Sequence, residues 1–140
     1  MATAIELFSD HLNSIATDLD RWRSLYAPDA IYELPYAPSI SAQERFEGIQ
    51  AITSHIAGVM SRLQDLRFKN IVFHSLEDPN SAFAEFDVEA LVKASGVKYE
   101  QKYVCYLKAK DGKIVLFREY FNPVVILRAF RAAQADVNTG

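Results

Sequence analysis

The hydrophobic period of this chain changes to two from Asp65 onward, and that change narrows the folds open to it. Before that point most apolar residues recur at the spacing of an amphipathic helix; beyond it they alternate with polar ones, as on half-buried strands. Helices first and strands afterward, with one more helix between strands, predict an α+β domain. In it, N-terminal helices pack on a curved antiparallel sheet and enclose an apolar pocket.

Ser9 to Ala16 and Asp18 to Tyr26 read as two consecutive helices carrying Leu12, Ile15, Leu19, Trp22, Leu25 and Tyr26. Pro28-Asp29 stops the second, and Ala30 to Leu34 alternates as a strand before Pro35 and Pro38 open a loop running to about Gln43. A third helix follows Gly48, because Ile49, Ile52, Ile56, Val59, Met60 and Leu63 fall on one arc at about 100° per residue.

In the second half, Leu66, Phe68, Ile71 and Phe73 mark a strand that ends at the turn Asp78-Pro79-Asn80. Ala84, Phe86, Val88, Ala90 and Val92 then alternate against Glu85, Asp87 and Glu89, a pattern that marks a solvent face, with an inward polar anchor at Glu85 or Asp87 as the alternative. Ser95-Gly96 breaks that strand, Tyr99 to Lys108 forms the next, and Asp111-Gly112 turns the chain into Ile114 to Phe121. Asn122-Pro123 supplies an N-cap and a first-turn proline for a short closing helix with Val124, Leu127, Ala129 and Phe130. Asp136 to Gly140 is expected to fray.

At 140 residues, half of them apolar, the chain is long enough to bury its own core, and residues 1–140 are read as a single domain. The net charge of -3, with Lys and Arg scattered, carries no footprint for nucleic acid, and no uncharged apolar run is long enough to span a bilayer. The first residues lack the pattern of a secretory signal, and the lone Cys105 has no intrachain disulfide partner, so a cytoplasmic location is expected.

The register of the last hairpin decides which side chains meet. A strict two-residue turn at Asp111-Gly112 sets Lys110 opposite Lys113 and Val104 opposite Glu119. A three-residue turn with a bulge sets Ala109 opposite Lys113 and Tyr103 opposite Glu119. The second is favoured, because it gathers Tyr103, Cys105, Leu107, Val115, Phe117 and Phe121 on one apolar surface with Glu119 in its middle. A carboxylate there is costly unless it pairs with a neighbouring Lys or Arg such as Lys102, escapes to water at the sheet end, or is neutral, and desolvation lifts its pKa toward the range useful for proton transfer. Glu119 is therefore the leading catalytic candidate.

His55 lies about 80° from the centre of the third helix's apolar arc, at the edge of the pocket or of the surface. It is the second catalytic candidate. Trp22, Tyr32, Tyr103, Cys105, Phe117 and Phe121 are the expected substrate-binding wall, with Tyr103 able to donate a hydrogen bond. Cys105, mid-strand among aromatics, reads as inert filler rather than a nucleophile. No metal-ligand spacing, phosphate loop, dinucleotide fingerprint or nucleophile elbow occurs, so neither a metal nor an organic cofactor is expected.

Several local patterns together resemble the nuclear-transport-factor-2-like superfamily, especially its SnoaL-like branch. They are Trp22 with Leu25 to Ala30, Phe46 to Gly48 with Ile52 and His55, and Asp111 to Ile114 leading to Arg118-Glu119-Tyr120-Phe121-Asn122-Pro123. The second half is most similar to the phenazine-biosynthesis A/B proteins, through Asn70-Ile71, Glu77 to Asn80, Glu85, Asp87, the Asp-Gly-Lys-Ile turn, Arg118-Glu119 with Asn122, and Leu127-Arg128-Ala129. The resemblance, over about residues 5 to 131, implies a cone-shaped, cystatin-like roll that dimerises through the outer face of its sheet. It also implies an acid/base glutamate on the last strand and an assisting helix histidine, roles that Glu119 and His55 match by position. The chain departs from those proteins at Tyr99 to Tyr106, which lacks their histidines, and in the loop from Tyr36 to Gln43.

The leading expectation is thus a cofactor-independent acid/base enzyme of isomerase, cyclase, dehydratase or condensing type, acting on a small hydrophobic or aromatic ketone-like molecule. The alternatives are a binding protein that uses the same pocket without chemistry, and a dimerisation domain with a closed pocket.

Overall fold

The computed structural model describes residues 1–130, so the segment Asp136 to Gly140 lies outside the described residues. Helix α1 spans Ala4–Ser14 and begins before the expected Ser9. A reciprocal capping box starts it there: the Thr3 hydroxyl accepts from the Glu6 backbone N–H, and the Glu6 carboxylate accepts from that of Thr3. Helix α2, Leu19–Ser24, is capped by the Asp18 side chain and stops before Tyr26, which opens strand β1, Tyr26–Glu33. The expected stop at Pro28 is instead an interior position of β1. The proline is tolerated because the ladder to the neighbouring strand lapses between Tyr26 and Ile31, where its missing N–H goes unused.

A short 3-10 turn at Ala37–Ile40 leads to β2, Arg45–Glu47, a strand too short for period to reveal. Helix α3, Ile49–Arg62, follows Gly48, whose φ of 88° suits glycine. Then come β3, Leu63–Ser75; β4, Ser81–Val92; β5, Lys98–Lys110; and β6, Lys113–Phe121. Residues 123–130 form the closing helix, α4, which Asn122 caps through the Val124 N–H. Among the described residues, no helix is long and apolar enough to cross a membrane.

The six strands form one open, curved sheet in the order β2-β1-β6-β5-β4-β3. It is mixed rather than antiparallel, because β1 and β6 run parallel. Those two strands are joined only through the intervening chain, so no hairpin dictates their direction, and alternation in a sequence carries no sign of it. Two bulges in β3 help to bend the sheet, with Asp65 and Asn70 in the left-handed conformation at 56° and 54°. The second bulge breaks the alternation, and Ile71, expected on the apolar row, is exposed.

The β5–β6 hairpin combines features of both expected registers. Asp111 and Gly112 have φ of 53° and 75° in a two-residue turn with Lys110 opposite Lys113. A bulge then shifts the ladder between Ala109↔Ile114 and Lys108↔Leu116, leaving Val115 as the extra residue. Tyr103 consequently faces Phe121, and Cys105 faces Glu119. Parity survives the change, so Tyr103, Cys105, Leu107, Phe117, Glu119 and Phe121 still share one face. Val115 leaves it and lines an open groove on the other side with Leu116 and Arg118.

Helices α1 and α2 bury Phe8, His11 and Trp22 against Tyr26, Tyr32 and Phe117 of the sheet. Each phenylalanine ring so removed from water contributes roughly 1.5–3 kcal/mol. This packed block fills one end of the roll, while α3 and α4 border the space at the other.

Candidate active site

Glu119 sits on β6 with β1 on one side and β5 on the other. Its side chain borders two adjoining hollows beneath α3. The inner one, about 70 Å³, is lined by Tyr32, Ile56, Phe68, Phe86 and Val88, among others. The outer one, about 250 Å³, is lined by Leu34, Ala37, Ile40, Phe121, Ile126 and Phe130. His55, Val59, Leu63, Tyr99, Tyr103 and Glu119 border both. A space of this kind suits a small, largely apolar molecule.

Desolvation dominates the electrostatics. Burial pushes the Glu119 carboxyl from 4.5 up to about 7, and a hydrogen bond from the Tyr32 hydroxyl offsets part of the rise. Near neutral pH this carboxyl is therefore poised to take or give a proton. Lys102, the alternative ion-pair partner, points to the other face and binds Asp87 at 3.2 Å. Asn70 donates to the same carboxylate.

His55 stacks on Phe46 with ring centroids 4.2 Å apart and tilts toward Tyr32 at 6.1 Å. Burial, reinforced by the Arg62 charge, lowers its pKa, so the imidazole is held neutral. The Tyr103 hydroxyl pairs with that of Tyr99 at 2.8 Å. Burial raises Tyr103 well above its ordinary range, which leaves it a neutral phenol able to donate.

The structure brings Glu119, His55, Tyr32, Tyr103 and Phe121 together on the hollows. It does not bring Trp22, Cys105 or Phe117 there. Trp22 is the buried face of α2, Phe117 lies against Phe8 and His11 of α1, and Cys105 is buried on β5, so none of the three borders either hollow. The Cys105 thiol is pushed well above its ordinary range by burial and by the Glu119 charge, consistent with inert filler. His74 pairs with Glu85 at 2.7 Å on the other side of the sheet. Among the described residues, no group of three or more His, Cys, Asp or Glu is placed to hold a metal ion.

Sequence reasoning missed Tyr99 and Arg62. Strand parity with Tyr103 places Tyr99 inside, but Arg62 reaches the mouth only because the helix ends there.

Comparison with known proteins bears on kinship. A family model described as a SnoaL-like domain matches residues 5–117, ending before Glu119. An uncharacterized PhzA/B-like protein of Pseudomonas aeruginosa is 34% identical over 118 residues, covering 84% of this chain and 82% of that protein. The crystal structure named "Putative Isomerase from Bacillus subtilis" superposes with a TM-score of 0.83 at 31% identity, over 92% of this chain and 93% of that one. A phenazine biosynthesis-related protein from Pseudomonas aeruginosa, at 23% identity and a TM-score of 0.77 over 90% of this chain and 83% of the other, shares the fold. With a match that runs from the first helix into the last strand, this chain belongs to the SnoaL-like family.

Proposed function

We propose that this protein is a cofactor-independent acid/base enzyme acting on a small hydrophobic or aromatic ketone-like molecule. The observation that carries the proposal is Glu119, a carboxyl with a pKa of about 7 on the wall of an apolar hollow. The names of two relatives, a PhzA/B-like protein and an isomerase, are consistent with it.

In this chemistry the Glu119 carboxylate takes a proton from the carbon next to a substrate carbonyl. The C–H electron pair becomes the new C=C bond, and the carbonyl pair moves onto oxygen. The Tyr103 hydroxyl or neutral His55 donates a hydrogen bond to that developing oxyanion. Glu119, now protonated, returns the proton to another atom in an isomerisation or to a departing hydroxyl in a dehydration. Alternatively, in a cyclisation or condensation the enolate carbon attacks a second carbonyl carbon, whose C=O pair moves onto its oxygen and takes the proton from Glu119. Every variant is redox-neutral.

A ligand screen by thermal stabilisation, repeated on Glu119→Gln, tests this. Binding retained with turnover abolished supports an enzyme. A ligand that binds both forms equally, with no turnover by wild type, makes the protein a carrier and sinks the proposal.

The outer sheet face is the proposed dimer contact. Val72, Glu85, Val104 and Tyr120 stand in one cross-strand row there, and Val72 and Val104 are 49% and 40% exposed.

A further inference from the structure

Gln101 is buried at 1% exposure on the inner face of β5, between Tyr99 and Tyr103. Its side-chain oxygen accepts from the backbone N–H groups of Lys102 and Asn122, each at 3.0 Å, and its amide nitrogen donates to the Asn122 carbonyl at 2.9 Å. Backbone N–H groups only donate and carbonyls only accept, so the amide cannot be flipped. The second amide hydrogen points toward the Tyr99 hydroxyl oxygen at 3.4 Å, and Tyr99 must accept it.

We infer that Gln101 is a positioning residue that orders the hydrogens of the tyrosine pair, from Gln101 to Tyr99 to Tyr103, so that Tyr103 offers its own hydrogen to the ligand. With its oxygen accepting from Gln101, the Tyr99 phenol is the better donor of the two, and the Tyr103 oxygen lies 2.8 Å away to receive its hydrogen. The hydrogen left over then belongs to Tyr103, which borders both hollows beside Glu119. Both phenols are neutral, Tyr99 being pushed up to about 12 by burial, so each has one hydrogen to give. Each bond in such a chain polarises the next, which strengthens the terminal donor.

This inference rests on the proposed role of Tyr103 and makes a separate claim about what sets its direction. Its test is the carbonyl stretching band of isotope-labelled acetophenone, read at saturation. On wild type the band moves to lower frequency on binding. Tyr103→Phe is expected to remove most of that displacement. Gln101→Glu, whose side chain accepts from Tyr99 whether or not it is protonated, reverses the chain and is expected to lose a comparable part. Tyr99→Phe, which leaves the Gln101–Asn122 bonds intact, is expected to lose less. It also serves if Gln101→Glu does not fold.

Wild-type displacement in both Gln101→Glu and Tyr99→Phe, alongside loss in Tyr103→Phe, overturns the role of Gln101 while leaving Tyr103 as donor. Loss in Tyr99→Phe with none in Tyr103→Phe overturns both, because Tyr99 is then the donor.

Discussion

Cys105 stands directly across the β5–β6 ladder from Glu119, and it is completely buried. The nearest cross-strand neighbour of the candidate catalytic carboxyl is therefore a small, neutral group that supplies neither a cation nor a water channel. This placement helps explain why desolvation outweighs the single hydrogen bond from Tyr32 and lifts the Glu119 pKa.

Glu119 should make stability depend on pH in a definite direction. Its folded pKa, about 7, lies above the ordinary 4.5. Its contribution is fully favourable below 4.5 and is lost as pH rises through 7. Glu119→Gln should therefore gain on wild type between pH 5 and pH 8, by up to about 2–3 kcal/mol in urea unfolding. An unchanged difference between the two pH values removes the raised pKa, and with it the basis for proton transfer.

His11 should act in the opposite sense. Neither ring nitrogen has a partner among the described residues, the ring stacks on Phe117 at 4.3 Å, and burial lowers its pKa from 6.5 to about 3. A depressed histidine stabilises above its unfolded value and loses that contribution as pH falls from 6.5 toward 3. His11→Leu should gain on wild type in that window, on the order of 4 kcal/mol by its lower end, as chemical unfolding at stepped pH will show. Parallel curves for the two proteins contradict a buried neutral imidazole.

Tyr103→Phe should lower kcat about 100-fold with little change in KM, because the lost hydrogen bond matters most once charge has developed on the substrate oxygen. A rise in KM alone would reassign Tyr103 to ordinary binding.

Val104→Lys, in the middle of the outer row, should convert a dimer to monomers by charge and desolvation without disturbing the inner face. Sedimentation velocity measures this directly. Wild type sedimenting as a monomer at every concentration contradicts the proposed contact.

Much of this molecule was legible as alternation. The Ala84 to Val92 row is readable because every second residue is apolar, and the shared face of Tyr103 and Glu119 follows from choosing the register that gathers the apolar residues of both strands. Two things were not legible. Which residues oppose one another depends on the bulge at Val115, a backbone event that no side-chain pattern announces. Which buried residues touch the hollows depends on where helices land, so Trp22 and Phe117 look like pocket wall in sequence, whereas Trp22 is the buried face of α2 and Phe117 lies against Phe8 and His11 of α1.

The extra residue at Val115 also sets what this stretch can tolerate over time. Substitutions there alter one side chain in an open groove, whereas the bulge itself absorbs the odd residue, and a regular ladder of the same length would rotate the remainder of β6 by half a pleat. Glu119 would then emerge on the outer surface and Arg118 would enter the hollow. In this stretch a departure from regular pairing, more than any one side chain, keeps the carboxyl indoors.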